Sequence, residues 1–514
     1  MKKSISIVLL SGLLAVVLLL VACAPKEATN TAVAEDGEAF VFPEGETDFA
    51  SLRTPGSQEA AYTYQSFYLP AQDNGVQPYV GDTMPYYEDG TYYIYYLKEG
   101  GDSYNHSIYL TTTTDFVTYT EKDEVVLEAS RSGGQDGWTG TGSVAKVKDT
   151  YYFFYTGHAG SDSYEYKEKI LVAKGSAPDS FEKVADWEII PPAELGQKND
   201  FRDPQGYYDA ATDTITLTVT ASQSNKARIL KYTLSGDLQT VTYDGIIFTD
   251  ENGGYWNLEC SDTFQIGNTY YLTYSAQDDT LWYAMSDSPY GPYSDPIRLD
   301  GELFYAAKHT ENGSDTFLVG WARRSESVSS TQEVSGWAGN LAVQKVVQNA
   351  DGTLTLAPVD ALVNQFTQRR QLLVDTMTVT LSSGSAYSYT ELCTAYESFL
   401  LTGTIRFEKN GTFGLAFDYN GRTDKYKTIT LDPAGDKLSL QFNEGDTLIT
   451  ETPAEIEPGK NYTFTYVQEG SVGIFTLDGI ASLTVRLYGV SGKPVRLFTE
   501  NNTVTISDLK QYTR

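Results

Sequence analysis

One pattern recurs five times along this chain: a run of aromatic and β-branched residues set just behind a turn-rich stretch. The runs are Tyr92–Leu97, Tyr151–Gly157, Ile215–Ala221, Tyr270–Ser275 and Phe317–Trp321. The turns ahead of them are Glu88-Asp89-Gly90, Lys148-Asp149, Ala211-Thr212-Asp213, Gly267-Asn268 and Asn312-Gly313-Ser314. Behind each run lies a second strand pair with its own turn: Ile108–Tyr119, Ile170–Val184, Arg228–Val241, Leu281–Tyr293 and Leu341–Leu354. That makes about four strands per module at a period of roughly fifty to sixty residues, the signature of a β-propeller. A β-sandwich could hold similar strands but gives no reason for a fivefold recurrence. The expectation is an all-β protein with a five-bladed propeller over residues 67–363.

From Phe366 the texture changes. Strand-like segments follow at short spacing: Leu372–Leu381, Ser398–Glu408, Thr412–Tyr419, Lys427–Leu431, Leu438–Phe442, Tyr462–Gln468, Val472–Leu477, Ala481–Leu487, Pro494–Thr499 and Thr503–Leu509. Residues 366–514 are therefore expected to form a C-terminal β-sandwich with a supporting or carbohydrate-contacting role.

The N-terminus reads differently again. Lys2-Lys3, an apolar stretch from Ile5 to Val21 and the small-residue ending Leu20-Val21-Ala22-Cys23 make an export signal. The ending resembles a bacterial lipobox, so residues 1–23 are expected to be a lipoprotein signal with Cys23 lipidated. Residues 24–66, rich in Ala, Glu, Thr, Gly and Pro, read as a flexible spacer. The body would then sit on the extracellular face of the cell membrane, touching it only through the lipid. Cys260 and Cys393 are too few and too isolated for a disulfide framework or a metal site.

The formal charge is −31, from 37 basic and 68 acidic residues. This excludes nucleic acid as a partner and electrostatic docking on anionic lipid, and it suits a neutral substrate such as sugar. The histidines His106, His158 and His309 are too scattered for a zinc motif or a Ser-His-Asp constellation, and their expected role is structural.

The chemistry is expected from carboxylates. Asp82, Asp203 and Glu259 lie six to eight residues ahead of three of the five turns. In a propeller the first strand of each blade lines the central channel. Aligning the blades matches Asp82 with Gly142-Ser143, Arg202-Asp203-Pro204, Glu259-Cys260-Ser261 and Phe304-Tyr305. All should meet at one end of the channel, around one sugar ring. Glycoside cleavage needs one carboxyl to protonate the leaving oxygen and another to attack or to activate water. Crowding three carboxylates raises at least one of their pKa values, which suits an acid. Glu259, flanked by Trp256 and Leu258, is the expected acid, Asp82 the nucleophile and Asp203 the hydroxyl-binding stabiliser. Arg202 would hold a carboxylate. Ser143 and Tyr305 are candidate sugar contacts, and Trp138 and Trp256 could stack on a sugar face. Trp337 is expected to pack between blades. This chemistry requires no cofactor and no metal. The expected partner is an oligo- or polysaccharide, bound by a monomer.

The series Phe201-Arg202-Asp203-Pro204, Glu259-Cys260, Phe304-Tyr305-Ala306-Ala307, Val319-Gly320-Trp321 and Trp337-Ala338-Gly339-Asn340-Leu341 resembles glycoside hydrolase family 32, the invertases, levanases and inulinases. The resemblance runs from about Val80 to Arg514, in order. It implies a five-bladed propeller with a C-terminal sandwich and a retaining β-fructofuranosidase acting on sucrose or fructans. It also implies nucleophile, stabiliser and acid/base roles for Asp82, Asp203 and Glu259. The chain departs from the family pattern at three places. Gly81-Asp82-Thr83-Met84-Pro85 replaces an Asn-Asp-Pro-Asn-Gly stretch, Leu97 stands where a Gln is usual, and Ser261 stands where Pro usually follows Glu-Cys. The contacts to fructose hydroxyls are therefore expected to differ. The alternatives are an inverting arabinan- or xylan-type furanosidase on a related propeller, a fructosyl transferase, and a non-catalytic glycan-binding lipoprotein.

Overall fold

The computed structural model describes residues 62–514, apart from 162, 252–253, 325–336, 419–425 and 443–446, together with a short antiparallel pair, Thr31–Val33 and Ala39–Val41. That pair lies in the stretch expected to be a flexible spacer; Thr, Val and Phe favour extended backbone. The lipidation candidate Cys23 and the export signal lie outside the described residues.

Five four-stranded antiparallel units follow one another. Blade 1 runs Tyr79–Glu88, Thr91–Glu99, Ile108–Thr113 and Tyr119–Glu121. Blade 2 runs Trp138–Val147, Thr150–His158, Glu168–Ala177 and Ser180–Ile189. Blade 3 comprises Phe201–Asp209, Thr214–Gln223, Lys226–Ser235 and Val241–Phe248, and blade 4 comprises Leu258–Ile266, Thr269–Ala276, Leu281–Ser286 and Ile297–Arg298. Blade 5 comprises Phe304–Glu311, Thr316–Arg323, Gly339–Gln348 and Leu354–Pro358. The first strands of successive blades neighbour one another, and that of blade 5 returns to that of blade 1. The ring is therefore closed.

Burial explains the composition of the strands. The second strands, which carry the aromatic runs, are packed on both faces, as in Thr269–Ala276. A strand covered twice reads as a continuous apolar run rather than an alternating one. The outer strands Ser180–Ile189 and Val241–Phe248 alternate or face water. The ring is closed between blades 5 and 1 by a bridge from Gly339 to Val80 and by Thr83 Oγ1 donating to the Val319 carbonyl at 2.6 Å. The incoming segment also helps, because Phe67 and Tyr68 accept hydrogen bonds from Asn340 Nδ2 and Leu341 N.

The C-terminal part is a sandwich of a seven-stranded and a six-stranded sheet around one apolar core that includes Phe399, Phe417, Phe464 and Leu497. Two of its strands, Ser388–Thr394 and Thr447–Pro453, carry no strong sequence signal. Both are edge strands of the six-stranded sheet, where polar residues are tolerated. The strand expected over Leu372–Leu381 is confined to Val379–Ser382, and Leu373 and Met377 are exposed. Arg486 of the sandwich is fully buried and donates to the Ala322 and Arg323 carbonyls and to Asn340 Oδ1 of blade 5. Residues Tyr62–Ser66 also lie on the sandwich, with Tyr64 OH 2.7 Å from Ser471 Oγ and Ser66 N donating to Glu469.

Candidate active site

Every inner strand is interrupted by a β-bulge at one and the same register. The ladder slips between Gly81 and Thr83, Gly140 and Gly142, Arg202 and Gln205, Glu259 and Asp262, and Tyr305 and Lys308. Asp82, Thr141, Asp203, Cys260 and Ala306 are thus equivalent, and Asp203, Cys260 and Ala306 have positive φ of 58°, 52° and 52°. A bulge re-aims a side chain and leaves backbone groups without a ladder partner. Here the second strand of one blade serves the bulge region of the next. Thr156 Oγ1 accepts from Asp203 N at 2.9 Å, Thr220 Oγ1 donates to the Leu258 carbonyl, and Ser275 Oγ accepts from Ala306 N at 3.0 Å. Trp321, at the same place in blade 5, reaches blade 1 and donates its indole N–H to Asp82 Oδ1 at 3.2 Å.

The three carboxylates have three different environments. Asp82 is half-buried and accepts from Trp321 and from Thr141 Oγ1, the latter at 2.7 Å. Asp203 is buried, and its Oδ2 accepts from Cys260 N at 2.8 Å. Burial raises its pKa and the charge of Asp82 adds to this, against the pull of Arg202, the Cys260 N–H and Lys308. Lys308 crosses the channel, its Nζ 2.8 Å from the Gly142 carbonyl. The Glu259 side chain, 21% exposed, accepts from Arg202 Nη2 at 2.8 Å and from the Tyr305 hydroxyl. Burial pushes its carboxyl up to about 7, with Asp203 adding and Arg202 and Tyr305 opposing. A carboxyl in that range can hold a proton near neutral pH and release it. Burial also pushes the Cys260 thiol well above its usual value, which leaves it inert.

The sequence-expected residues divide into two groups. Asp82, Arg202, Asp203, Glu259 and Tyr305 are brought together, and Trp256 lies under the Arg202 guanidinium at 5.5 Å. Trp138, half-buried, opens the inner strand of blade 2 and meets His106 edge-on at 5.8 Å. Ser143 is not at the mouth: the bulge of blade 2 falls on Thr141, and Ser143 Oγ, buried between blades, accepts from Gly206 N at 2.9 Å. Glu88–Thr91 and Val147–Thr150 are the hairpin pairs of blades 1 and 2, and counting back from them sets Thr141, not Ser143, level with Asp82. Thr141, Trp321 and Lys308 escaped the sequence reading. The recurrence of Thr156, Thr220, Ser275 and Trp321 late in the aromatic runs was the signal available for Trp321.

Across the channel from the polar residues the wall is different. Gly81 and Gly140 occupy the register of Arg202, Glu259 and Tyr305. A Cβ on Gly81 would stand 2.0 Å from the Trp337 ring, and one on Gly140 would stand 2.4 Å from His158 Nε2. Trp337 stacks on His106 at 4.3 Å, and His106 Nε2 is 3.0 Å from Glu99. The departures at blade 1 have structural uses: Gly81 makes room for Trp337, Thr83 ties blade 1 to blade 5, and Met84 Sδ accepts from Gly142 N. Leu97, paired with Gly81, is buried in the apolar cluster that contains Met84. The third histidine, His309, lies farther along the channel, 2.7 Å from buried Asp262.

A closed five-bladed propeller joined to a β-sandwich, with three carboxylates at one end of the channel, holds the carboxyl groups that glycoside cleavage requires. Residues 82–358 match the N-terminal domain of glycosyl hydrolases family 32, and the chain belongs to that family. A curated relative, the sucrose-6-phosphate hydrolase of Escherichia coli, is 26% identical over 270 residues, 48% of this chain. The alignment spans about half of that relative's length, 54%. The fold is shared with an exo-inulinase from Aspergillus awamori, with a TM-score of 0.68 at 15% identity over 90% of this chain and 99% of that one. It is shared also with a Bombyx mori β-fructofuranosidase, with a TM-score of 0.64 at 16% identity over 89% and 95%. A fructosyltransferase from A. japonicus gives a TM-score of 0.69 at 14% identity over 92% and 98%.

Proposed function

We propose that the protein is a β-fructofuranosidase that releases fructose from sucrose or fructan chains with retention of configuration. In this reading Asp82 attacks the anomeric carbon while Glu259 protonates the leaving oxygen. Glu259 then takes a proton from the water that hydrolyses the fructosyl-enzyme. Asp203 binds the ring hydroxyls and stabilises the oxocarbenium-like transition state. The observation that carries this is the division of labour between carboxylates on one ring of bulges. Asp82 is supported by two donors, whereas Glu259 is held where it keeps a proton near neutral pH. Double displacement needs one carboxyl that attacks and another that carries a proton. Family membership supports the substrate class. The sequence supports an exported, lipid-anchored protein, with Cys23 the lipidated residue.

The test is monosaccharide release from sucrose, levan, inulin and arabinan by the wild type, Asp82→Asn and Glu259→Gln. Fructose release lost in both variants, with β-fructose as the first anomer seen by NMR, supports the reading. Arabinose release, or an inverted first product, sinks it.

A further inference from the structure

Glu168 is a carboxylate with no exposed surface, two blades away from the acid, and the mechanism above gives it no task. It opens the third strand of blade 2. One of its oxygens accepts the backbone N–H of Phe201, and the other stands 3.3 Å from Arg202 Nη1 and 3.6 Å from His158 Nδ1. The opposite nitrogen of the same guanidinium, Nη2, donates to Glu259 at 2.8 Å. One buried cation thus spans two carboxylates on different blades. We propose that Glu168 is a positioning residue for catalysis: it divides the Arg202 guanidinium between two carboxylates, so that Glu259 is held in place yet remains able to carry the proton it donates. The proposal rests on the acid/base reading of Glu259.

The physical reason is competition. An Arg that faced Glu259 alone would favour its carboxylate form and remove the acid. A second carboxylate on the far side of the fork offsets part of that charge and fixes the guanidinium plane. The cost of burying Glu168 is met locally. Burial opposes its charge, but Arg202, His158 and the Phe201 N–H outweigh this and hold its carboxyl below the usual range. The other groups around this chain of contacts are Asp200 and Asp203 of the blade 3 region, Tyr305 and Lys308 of blade 5, Cys260 and Asp279 of blade 4, and Asp82 of blade 1. None of these stands between Arg202 and Glu168. Asp200, 3.4 Å from Arg202 Nη1, is partly exposed at 23% and is the weaker competitor.

The experiment compares the full-length wild type with Glu168→Gln, reading kcat/KM against pH on sucrose and on β-fructosyl fluoride, whose leaving group needs no proton. Removing the charge of Glu168 leaves Arg202 to Glu259. The alkaline limb should therefore move down by about one pH unit. At neutral pH the loss on sucrose should be about fivefold, rising to about tenfold at higher pH, and on the fluoride small. Glu168→Asp, which keeps the charge but draws it back, should give a smaller shift of the same sign, and it tests the proposal even where the glutamine variant does not fold. A limb that stays or moves up in a folded variant, or an equal loss on both substrates, overturns the proposal. A wild type inert on every fructoside would instead sink the functional reading. The same pH profile is then taken on the furanoside that it does cleave.

Discussion

Blades 3, 4 and 5 and blades 1 and 2 share a backbone but not a surface. At the register just before the bulge the first three carry Arg202, Glu259 and Tyr305, which bond to one another. The other two carry Gly81 and Gly140; the room they leave is taken by Trp337, which lies ahead of the third strand of blade 5, and by His158, which ends the second strand of blade 2. One wall is a charged network fixed by short-range polar contacts. The other is a surface of stacked rings, Trp337 on His106, with polar contacts behind the rings. The same repeated strand geometry can therefore build the chemical half and the shape-giving half of one pocket. The choice is made by whether a side chain is present at one position.

This contrast can be broken from either side. The largest effect is expected from the polar wall: Glu259→Gln should lower kcat on sucrose by about 10²- to 10⁴-fold while thermal unfolding hardly moves, which steady-state kinetics and calorimetry would check together. A shift in stability as large as the loss in rate would mean that Glu259 is structural. On the aromatic wall, Gly81→Ala puts a methyl into the Trp337 ring. An overpacked site costs about 1–3 kcal/mol, and KM should rise more than kcat falls. A lowered melting temperature with unchanged KM would detach Trp337 from the substrate. Trp321→Phe keeps an aromatic ring, smaller than the indole, but removes the N–H given to Asp82. A hydrogen bond to a charged group is worth about 1.5–3 kcal/mol, so a fall in kcat of about ten- to a hundredfold is the upper expectation. The smallest effect should come from Tyr305→Phe. The Tyr305 hydroxyl stabilises the ionised form of Glu259, whose carboxyl lies at about 7. Without that donor the proton is held more tightly, so the alkaline limb of kcat/KM should move to higher pH, opposite to Glu168→Gln. Two limbs moving in the same direction would contradict the charge-sharing arrangement around Arg202.

Much of the polar wall was legible in sequence because it sits beside the strongest local signals. Asp82, Asp203 and Glu259 each precede a hairpin whose turn residues and aromatic run mark the blade. The residues that were missed are those whose role depends on contacts far apart in the chain. Trp321 is 239 positions from Asp82, and Thr141 is 59 away. Ser143 was misplaced because the turn residues Lys148-Asp149 do not by themselves say which pair, here Val147 with Thr150, ends the strand. The edge strands Ser388–Thr394 and Thr447–Pro453 passed unnoticed because a strand covered on fewer sides needs no apolar run.

What the sequence determined by itself is the unit: alternation and aromatic content that only extended backbone can bury, turns that end it, and five repetitions that only a closed ring can satisfy. The tertiary structure alone decided the chemistry of that ring. The state of a carboxyl depends on the charges and the burial around it, and those come from other blades. Arg202 is 57 residues from Glu259 and Tyr305 is 46 away. Neither distance nor burial is written in the order of residues, because both arise only when the ring closes.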